Sequence, residues 1–311
     1  MEDEGVEIDA KYIRRAFSAL APRRAKHFQP PGTMTVLEVL QSTTAYFQKR
    51  AIESPRLNAE HLIAHSLGKN RIELYLEFER PLSEPELAPL RELVRRRGQG
   101  EPLQYLLGTV EFAGHVFLSD KRALILRPET EQLVEYLCHL IWAENARMFD
   151  VGTGSGVIAL SLAARFPWAE LQAVDLSADA LMLAGENAKR LGLSDRICFS
   201  QGHLLEKAEG TFDLIVANLP YVAASEAGQL APELRHEPRL ALYGGTAGDE
   251  LIRDLITTAP AHLRPGGLLA LEIGINQESS LLDFLGEKNY HDISSEKDYA
   301  GTARFLFARY G

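Results

Sequence analysis

The chain has 311 residues, 46% hydrophobic and 24% charged, and its 33 basic side chains against 43 acidic ones leave a formal net charge of −10. This balance excludes collagen-like, low-complexity and disulfide-stapled classes, and it removes long-range attraction to nucleic-acid phosphate as a default property. The length favours two domains. No apolar run is long enough to span a membrane, and Met1-Glu2-Asp3-Glu4 lacks the apolar core of a secretory signal. The expectation is a cytoplasmic, monomeric enzyme without a membrane partner, its two cysteines (Cys138 and Cys198) being buried thiols in a reducing compartment.

Residues 1–33 read as an extension with little fixed structure. An acidic start and a basic middle (Arg14, Arg15, Arg23, Arg24) precede Pro30-Pro31-Gly32. Residues 34–100 read as a small helical bundle without a convincing strand. Val36, Leu37, Val39, Leu40 and Phe47 recur at helical spacing, and Ser54-Pro55 opens a second helix that stops at Gly68. Further helices are predicted over about 71–78 and 83–97, the second opened by the capping-box pattern Ser83-x-x-Glu86. Arg91, Arg95, Arg96 and Arg97 suit the C-terminal end of that helix better than a nucleic-acid contact, so no direct nucleic-acid binding is expected. His61 and His65 share a helix face, but Leu62 stands where H-E-x-x-H needs glutamate, and no metal site is expected.

Residues 101–126 form a connector that includes a hairpin, Val110-Glu111-Phe112 and His115 to Leu118 around Gly114. The third unit, 127–311, opens with Arg127-Pro128-Glu129-Thr130-Glu131, a helix start with proline and acids in its first turn. Strands are predicted near 147–151, 170–175, 196–200, 212–217 and 267–273. Helices are predicted near 156–166, 178–191, 249–259 and 277–287, with an antiparallel pair at about 290–297 and 303–310. Such alternation implies a mostly parallel α/β sheet covered on both faces, with ligands at the C-terminal strand ends.

Two motifs fall at those ends. Asp150-Val151-Gly152-Thr153-Gly154-Ser155-Gly156 follows one strand and precedes a helix, an arrangement that brings backbone N–H groups up to a ligand. Its G-x-G-x-G spacing is neither the dinucleotide fingerprint nor a P-loop. The next strand ends in Asp175, where a doubly wound sheet commonly binds ribose hydroxyls. Together these features suggest an S-adenosylmethionine site. The second motif, Asn218-Leu219-Pro220-Tyr221, suits a different task. An asparagine oxygen and a backbone carbonyl fixed by proline can accept the two hydrogens of a planar NH2 group, and tyrosine offers it a flat wall.

These stretches resemble the HemK/PrmC family of protein-(glutamine-N5) methyltransferases. The resemblance also rests on Glu101-Pro102-Leu103-Gln104-Tyr105, Glu237 to Leu242, Glu272-Ile273-Gly274 with Gln277, and Asp298-x-x-Gly301-x-x-Arg304. It implies an S-adenosylmethionine-dependent methyltransferase with a Rossmann-like sheet and an N-terminal helical domain that docks class I peptide release factors. Methyl transfer would fall on the glutamine of their Gly-Gly-Gln loop. Asp150, Gly152, Thr153, Gly154, Ser155, Gly156, Asp175, Leu176, His203, Leu204 and Asn218 would hold the cofactor. Asn218, Leu219, Pro220 and Tyr221 would carry the chemistry and, with Arg127 and Glu129, bind the substrate. Glu272 reads either as an aid to proton loss or as a structural strand-end acid.

Three positions depart from the family pattern. Leu219 replaces a proline, a change expected to be tolerated because that residue contributes a backbone carbonyl. His203 stands where an acid is common, and Leu126 where a proline often precedes Arg127-Pro128. Two alternatives stay open at this level. One is adenine-N6 methylation of RNA or DNA, which shares Asn-Leu-Pro-Tyr. The other is a non-catalytic release-factor-binding protein.

Overall fold

A computed structural model describes residues 34–226, 228 and 230–311; the expectations for residues 1–33 lie outside them. The described chain divides between Leu107 and Gly108 into two compact units. The first contains β1 (Met34–Thr35), α1 (Val36–Gln48), α2 (Pro55–Ser66), α3 (Arg71–Leu76), β2 (Pro81–Leu82), α4 (Glu84–Gly98) and α5 (Leu103–Leu107). One correction concerns strands: β1 pairs antiparallel with β2, a two-residue ladder too short to leave a pattern in the sequence.

Local signals set the helix starts. Thr35 with Glu38, Asn70 with Glu73 and Ser83 with Glu86 each form a capping box, and Pro55 occupies the first turn of α2. Val36, Val39, Leu40 and Phe47 meet Leu62, Ile63, Leu74, Leu90, Val94 and Leu106 in one core. The arginines of α4 are paired: Arg91 with Glu84, Arg95 with Glu92 and Arg96 with Glu101. Arg97 is buried and donates to Asn58 at 2.7 Å. Glu60 is also buried. Burial alone would raise its carboxyl, but hydrogen bonds from Tyr75, Arg71 and Arg56 bring it down to about 2.

The second unit opens with a hairpin, β3 (Thr109–Phe112) and β4 (His115–Leu118), and α6 (Pro128–His139). There follow β5 (Arg147–Val151), α7 (Val157–Arg165), β6 (Glu170–Asp175), α8 (Ala178–Leu191), β7 (Ile197–Gln201) and β8 (Phe212–Asn218). A short pair, β9 (Val222–Ala223) and β10 (Tyr243–Gly245), precedes α9 (Glu250–Thr258), β11 (Leu263–Glu272), α10 (Glu278–Glu287), β12 (Tyr290–Lys297) and β13 (Ala303–Tyr310). The main sheet has the order β12-β13-β11-β8-β5-β6-β7. Its strands run parallel from β11 to β7, and β13 is antiparallel to both its neighbours.

Continuous apolar strands bury both faces. Met148, Leu214, Val216, Leu268 and Ala270 join one core with Leu133, Ile158 and Leu162, while Phe149, Ile215, Ala217, Leu269 and Leu271 join the other with Ile252, Leu255 and Leu281. Register then fixes the strand tips. Val151 lies opposite both Ala217 and Val174, and Glu272 lies opposite Asn218. The cysteine expectation needs correction: Cys198 is exposed and Cys138 half-buried. Cys198 sits on β7, the last strand of the sheet, where the lateral cover ends. No helix among the described residues is long and apolar enough to cross a membrane.

Candidate active site

The loops at the C-terminal ends of β5, β6 and β8 line a cavity of about 230 Å³. Gly152, Thr153, Gly154 and Ser155 form one wall, with Asp175 and Leu176 beside them and His203 and Leu204 after β7. Asn218, Leu219 and Pro220 close another side, and Arg127 and Thr130 reach in from the start of α6. Asp150, Gly156, Glu129 and Tyr221 are not among the lining residues.

Asp150 instead braces the turn from below. Only 2% exposed, its Oδ2 accepts from Thr153 Oγ1 at 2.6 Å and from the Ala159 N–H at 3.1 Å. Burial pushes this carboxyl up to about 7, against the pull of those hydrogen bonds. Gly152 has φ +71°, and a Cβ there would lie 2.9 Å from Leu219 Cδ2. Gly156, at φ +83°, leaves room for Ala184 of α8, which a Cβ would approach to 3.1 Å. Both glycines are therefore required by conformation and by space.

Asp175 closes the turn from the neighbouring strand. Its Oδ2 accepts from the Gly154 N–H and its Oδ1 from the Ser177 N–H, each at 2.8 Å. Burial raises its carboxyl above the ordinary range in spite of these bonds. Three features of the cavity suit a nucleoside-bearing ligand. A carboxylate stands at the tip of β6, and among the described residues a Cβ on Gly154 would meet nothing within 4 Å and the buried Ser155 Oγ has no hydrogen-bond partner.

Asn218 donates through Nδ2 to Thr130 Oγ1 at 2.9 Å, and Thr130 Oγ1 donates to Glu272 Oε2 at 2.7 Å. Among the described residues no group donates to Asn218 Oδ1. Glu272 is 1% exposed, and burial holds its carboxyl up at about 7. Thr130, rather than Glu272, lines the cavity, so Glu272 acts on Asn218 through that hydroxyl. The Tyr221 hydroxyl makes a long 3.5 Å contact with Glu272 Oε1, and burial beside that acid raises the phenol to about 12. Gln277 holds the backbone beyond the motif, donating to the Tyr221 carbonyl at 3.1 Å while accepting from the Gly274 N–H at 2.8 Å.

The leucine that stands at 219 in place of the family's proline has a packing role of its own. Leu219 is 5% exposed and packs in the core beneath Gly152. Arg127 is engaged by the buried Glu237, which also accepts from the Ile125 N–H at 2.9 Å. Reading from the residues assigned no role to Thr130, Glu237 or Asn187. Asn187 is fully buried: its Oδ1 accepts from the Leu118 N–H at 2.7 Å and its Nδ2 donates to the Ser155 carbonyl at 3.0 Å, joining hairpin to glycine turn. Pro238, Leu240 and Tyr243 complete the apolar rim. Among the described residues no group of three or more His, Cys, Asp or Glu side chains could hold a metal ion, and His61 and His65 gain no third ligand.

A glycine turn and a strand-tip acid on one side of a cavity, with an asparagine amide on the other, define a methyltransferase. The comparisons agree. Residues 38–108 match the family described as PrmC N-terminal domain, and residues 128–244 the one described as methyltransferase small domain. A release factor glutamine methyltransferase of Chlorobaculum tepidum is 41% identical over 277 residues, covering 85% of this chain and 94% of that protein. One from Geobacter sulfurreducens is 39% identical over 285 residues, covering 91% and 99%. Among solved structures, the catalytic domain of hMettl16 in complex with an RNA hairpin shares the fold, with a TM-score of 0.51 at 14% identity over 74% of this chain and 83% of that one. The chain belongs to the family of release factor glutamine methyltransferases.

Proposed function

We propose that this enzyme transfers the methyl group of S-adenosylmethionine to the side-chain amide nitrogen, N5, of the glutamine in the Gly-Gly-Gln loop of class I peptide release factors. Its activity is that of a protein-glutamine methyltransferase acting on a release factor. The observation that carries the reading is Asn218: its Nδ2 is occupied by Thr130 and its Oδ1 is left to accept, at the edge of a cavity that Asp175 and the glycine turn also line.

Gly152 to Ser155 would hold the methionine part of the cofactor and Asp175 its ribose. When bound, the cofactor supplies an electrophilic methyl on a sulfonium. The protein's own task is orientation. An amide nitrogen is a weak nucleophile because its lone pair is delocalised, and acceptors placed on both its hydrogens return electron density to nitrogen. Asn218 Oδ1 would accept one N–H of the substrate and the backbone carbonyl of Leu219 the other. Fixing that plane supplies the proximity and electrostatic terms, so that no strong base is needed before transfer. As the S–CH3 bond breaks and the N–CH3 bond forms, the nitrogen becomes strongly acidic and its surplus proton would leave to water.

The helical unit would dock the release factor. Its α3 exposes Ile72 at 76% and Leu76 at 81%, with Tyr75 of the same helix also exposed, apolar side chains that a protein partner would cover. The test is transfer of labelled methyl to a recombinant class I release factor, followed by peptide mapping. Label on the Gly-Gly-Gln glutamine is expected. Its absence, or label on naked nucleic acid instead, sinks the proposal.

A further inference from the structure

Glutamine methylation needs Asn218 to offer its oxygen to the substrate, yet a side-chain amide can sit either way round with almost no change in shape. What sets the orientation lies behind it. Thr130 is 4% exposed and Glu272 1%, so no bulk water competes for their hydrogen bonds. A threonine hydroxyl has a single proton to give, and an ionised carboxylate can only accept. Once Glu272 is ionised, above its value of about 7, the proton of Thr130, 2.7 Å from Glu272 Oε2, is committed to the acid. Only lone pairs of Oγ1 then remain for Asn218, 2.9 Å away on the other side, and these admit Nδ2 and repel Oδ1.

Chain geometry supports this order. Asn218 and Glu272 end adjacent parallel strands in register, and Thr130, in the first turn of α6, bridges the two tips. Burial is the largest influence on Glu272 and opposes its ionised form, as does Glu129, while the hydroxyls of Thr130 and Tyr221 and the charge of Arg304 favour it.

We propose that Thr130 is a positioning residue that fixes the asparagine amide, its hydroxyl reading the Glu272 carboxylate and admitting only the NH2 end of Asn218, so that Oδ1 is presented to the substrate carboxamide. This inference rests on the glutamine reading above. Without the hydroxyl, Asn218 populates both orientations, and the wrong one turns an NH2 group toward the substrate NH2.

The experiment compares Thr130→Val, nearly isosteric but without the hydroxyl, with Thr130→Ser, which keeps it. Steady-state methylation of a release factor is measured beside calorimetric binding of S-adenosylmethionine. Thr130→Val is expected to lose about 100-fold in kcat while its cofactor Kd stays within about twofold of the wild type. Thr130→Ser is expected to stay within about threefold in kcat. Wild-type kcat in the valine variant, equal losses in both variants, or a loss expressed wholly as weaker cofactor binding would overturn the proposal and leave the glutamine reading intact. Failure of the wild type to methylate glutamine takes both down. If thermal melting shows that the valine variant does not fold, Thr130→Ala carries the same test.

Discussion

Leu219 Cδ2 lies 2.9 Å from where a Cβ on Gly152 would stand, so the Asn-Leu-Pro-Tyr motif and the glycine turn are packed into each other. The residue before Pro220 therefore does more than present a carbonyl. Its side chain supports the turn from which the cofactor would hang. Gly152→Ala combines this clash with a left-handed φ of +71°, a strain of about 1–2 kcal/mol before any repacking. Calorimetry is expected to show at least tenfold weaker binding of S-adenosylmethionine, about 1.4 kcal/mol. Unchanged affinity would mean that the turn does not touch the ligand. Leu219→Ala empties a buried site and is expected to lower stability by about 2–5 kcal/mol in urea titration.

Asn218→Ala removes the acceptor proposed for the substrate NH2. The expected outcome is a loss of about 100- to 1,000-fold in kcat, as for removal of a preorganised polar group, with cofactor affinity nearly retained. Single-turnover methylation with saturating cofactor checks it. A kcat near that of the wild type would exclude Asn218 from the chemistry.

Asp175→Ala removes both the strand-tip carboxylate and the acceptor that ties the Gly154 N–H. Cofactor affinity is expected to fall at least tenfold, about 1.4 kcal/mol, while circular dichroism and the melting transition stay close to the wild type. Retained affinity would refute the ribose assignment.

Stability is expected to depend on pH through the two acids beneath the site. Burial holds Asp150 and Glu272 up at about 7 in the native state. Unfolded, each ionises near pH 4. Between about pH 4 and 7 the native state thus binds more protons than the unfolded one, and stability falls as pH rises through that window. Glu60 works the other way: held down at about 2, it stabilises above its ordinary range and that contribution is lost in stronger acid. Urea midpoints of the ligand-free protein should therefore peak near pH 4 and decline toward 7. Asp150→Asn should flatten part of the decline; an unchanged slope would count against Asp150 as a source.

Replacing Ile72 and Leu76 of α3 with serine tests the docking role of the helical unit. Both side chains are largely exposed, so melting should change little. KM for an intact release factor should rise several-fold, and KM for a short Gly-Gly-Gln peptide should not. A parallel rise for both substrates would place docking elsewhere.

Much of this fold was legible because its strands are buried on both faces and its helices open with ordinary caps. The glycine turn and Asn218 were legible for a related reason: strand-end position in a parallel sheet is itself a site prediction. Polar partners far apart in the chain were not. Asn218 and Thr130 lie 88 positions apart, Leu118 and Asn187 69, and Ile125 and Glu237 112, and no local pattern says which side chains will meet. Thr130 did leave a trace. It shares the buried stripe of α6 with Leu133, Val134 and Leu137, where a polar side chain needs an internal partner. Of the two residues that the resemblance assigned to the substrate beside the motif, Arg127 lines the cavity with Asn218 and Glu129 does not. Cys198 was misread because composition says nothing about which strand ends a sheet.

The in-register tips of β5, β8 and β11 have one further consequence. Neighbouring strands are about 4.8 Å apart, a spacing set by backbone hydrogen bonds and by no side chain. The sheet is thus a ruler that sets the separation of the glycine turn after β5 from Asn218 at the tip of β8. A one-residue slip of β8 against its neighbours would not merely shift Asn218 along that ruler but turn it to the other face, out of reach of Thr130. The separation of the two motifs is thereby held by the backbone ladder itself.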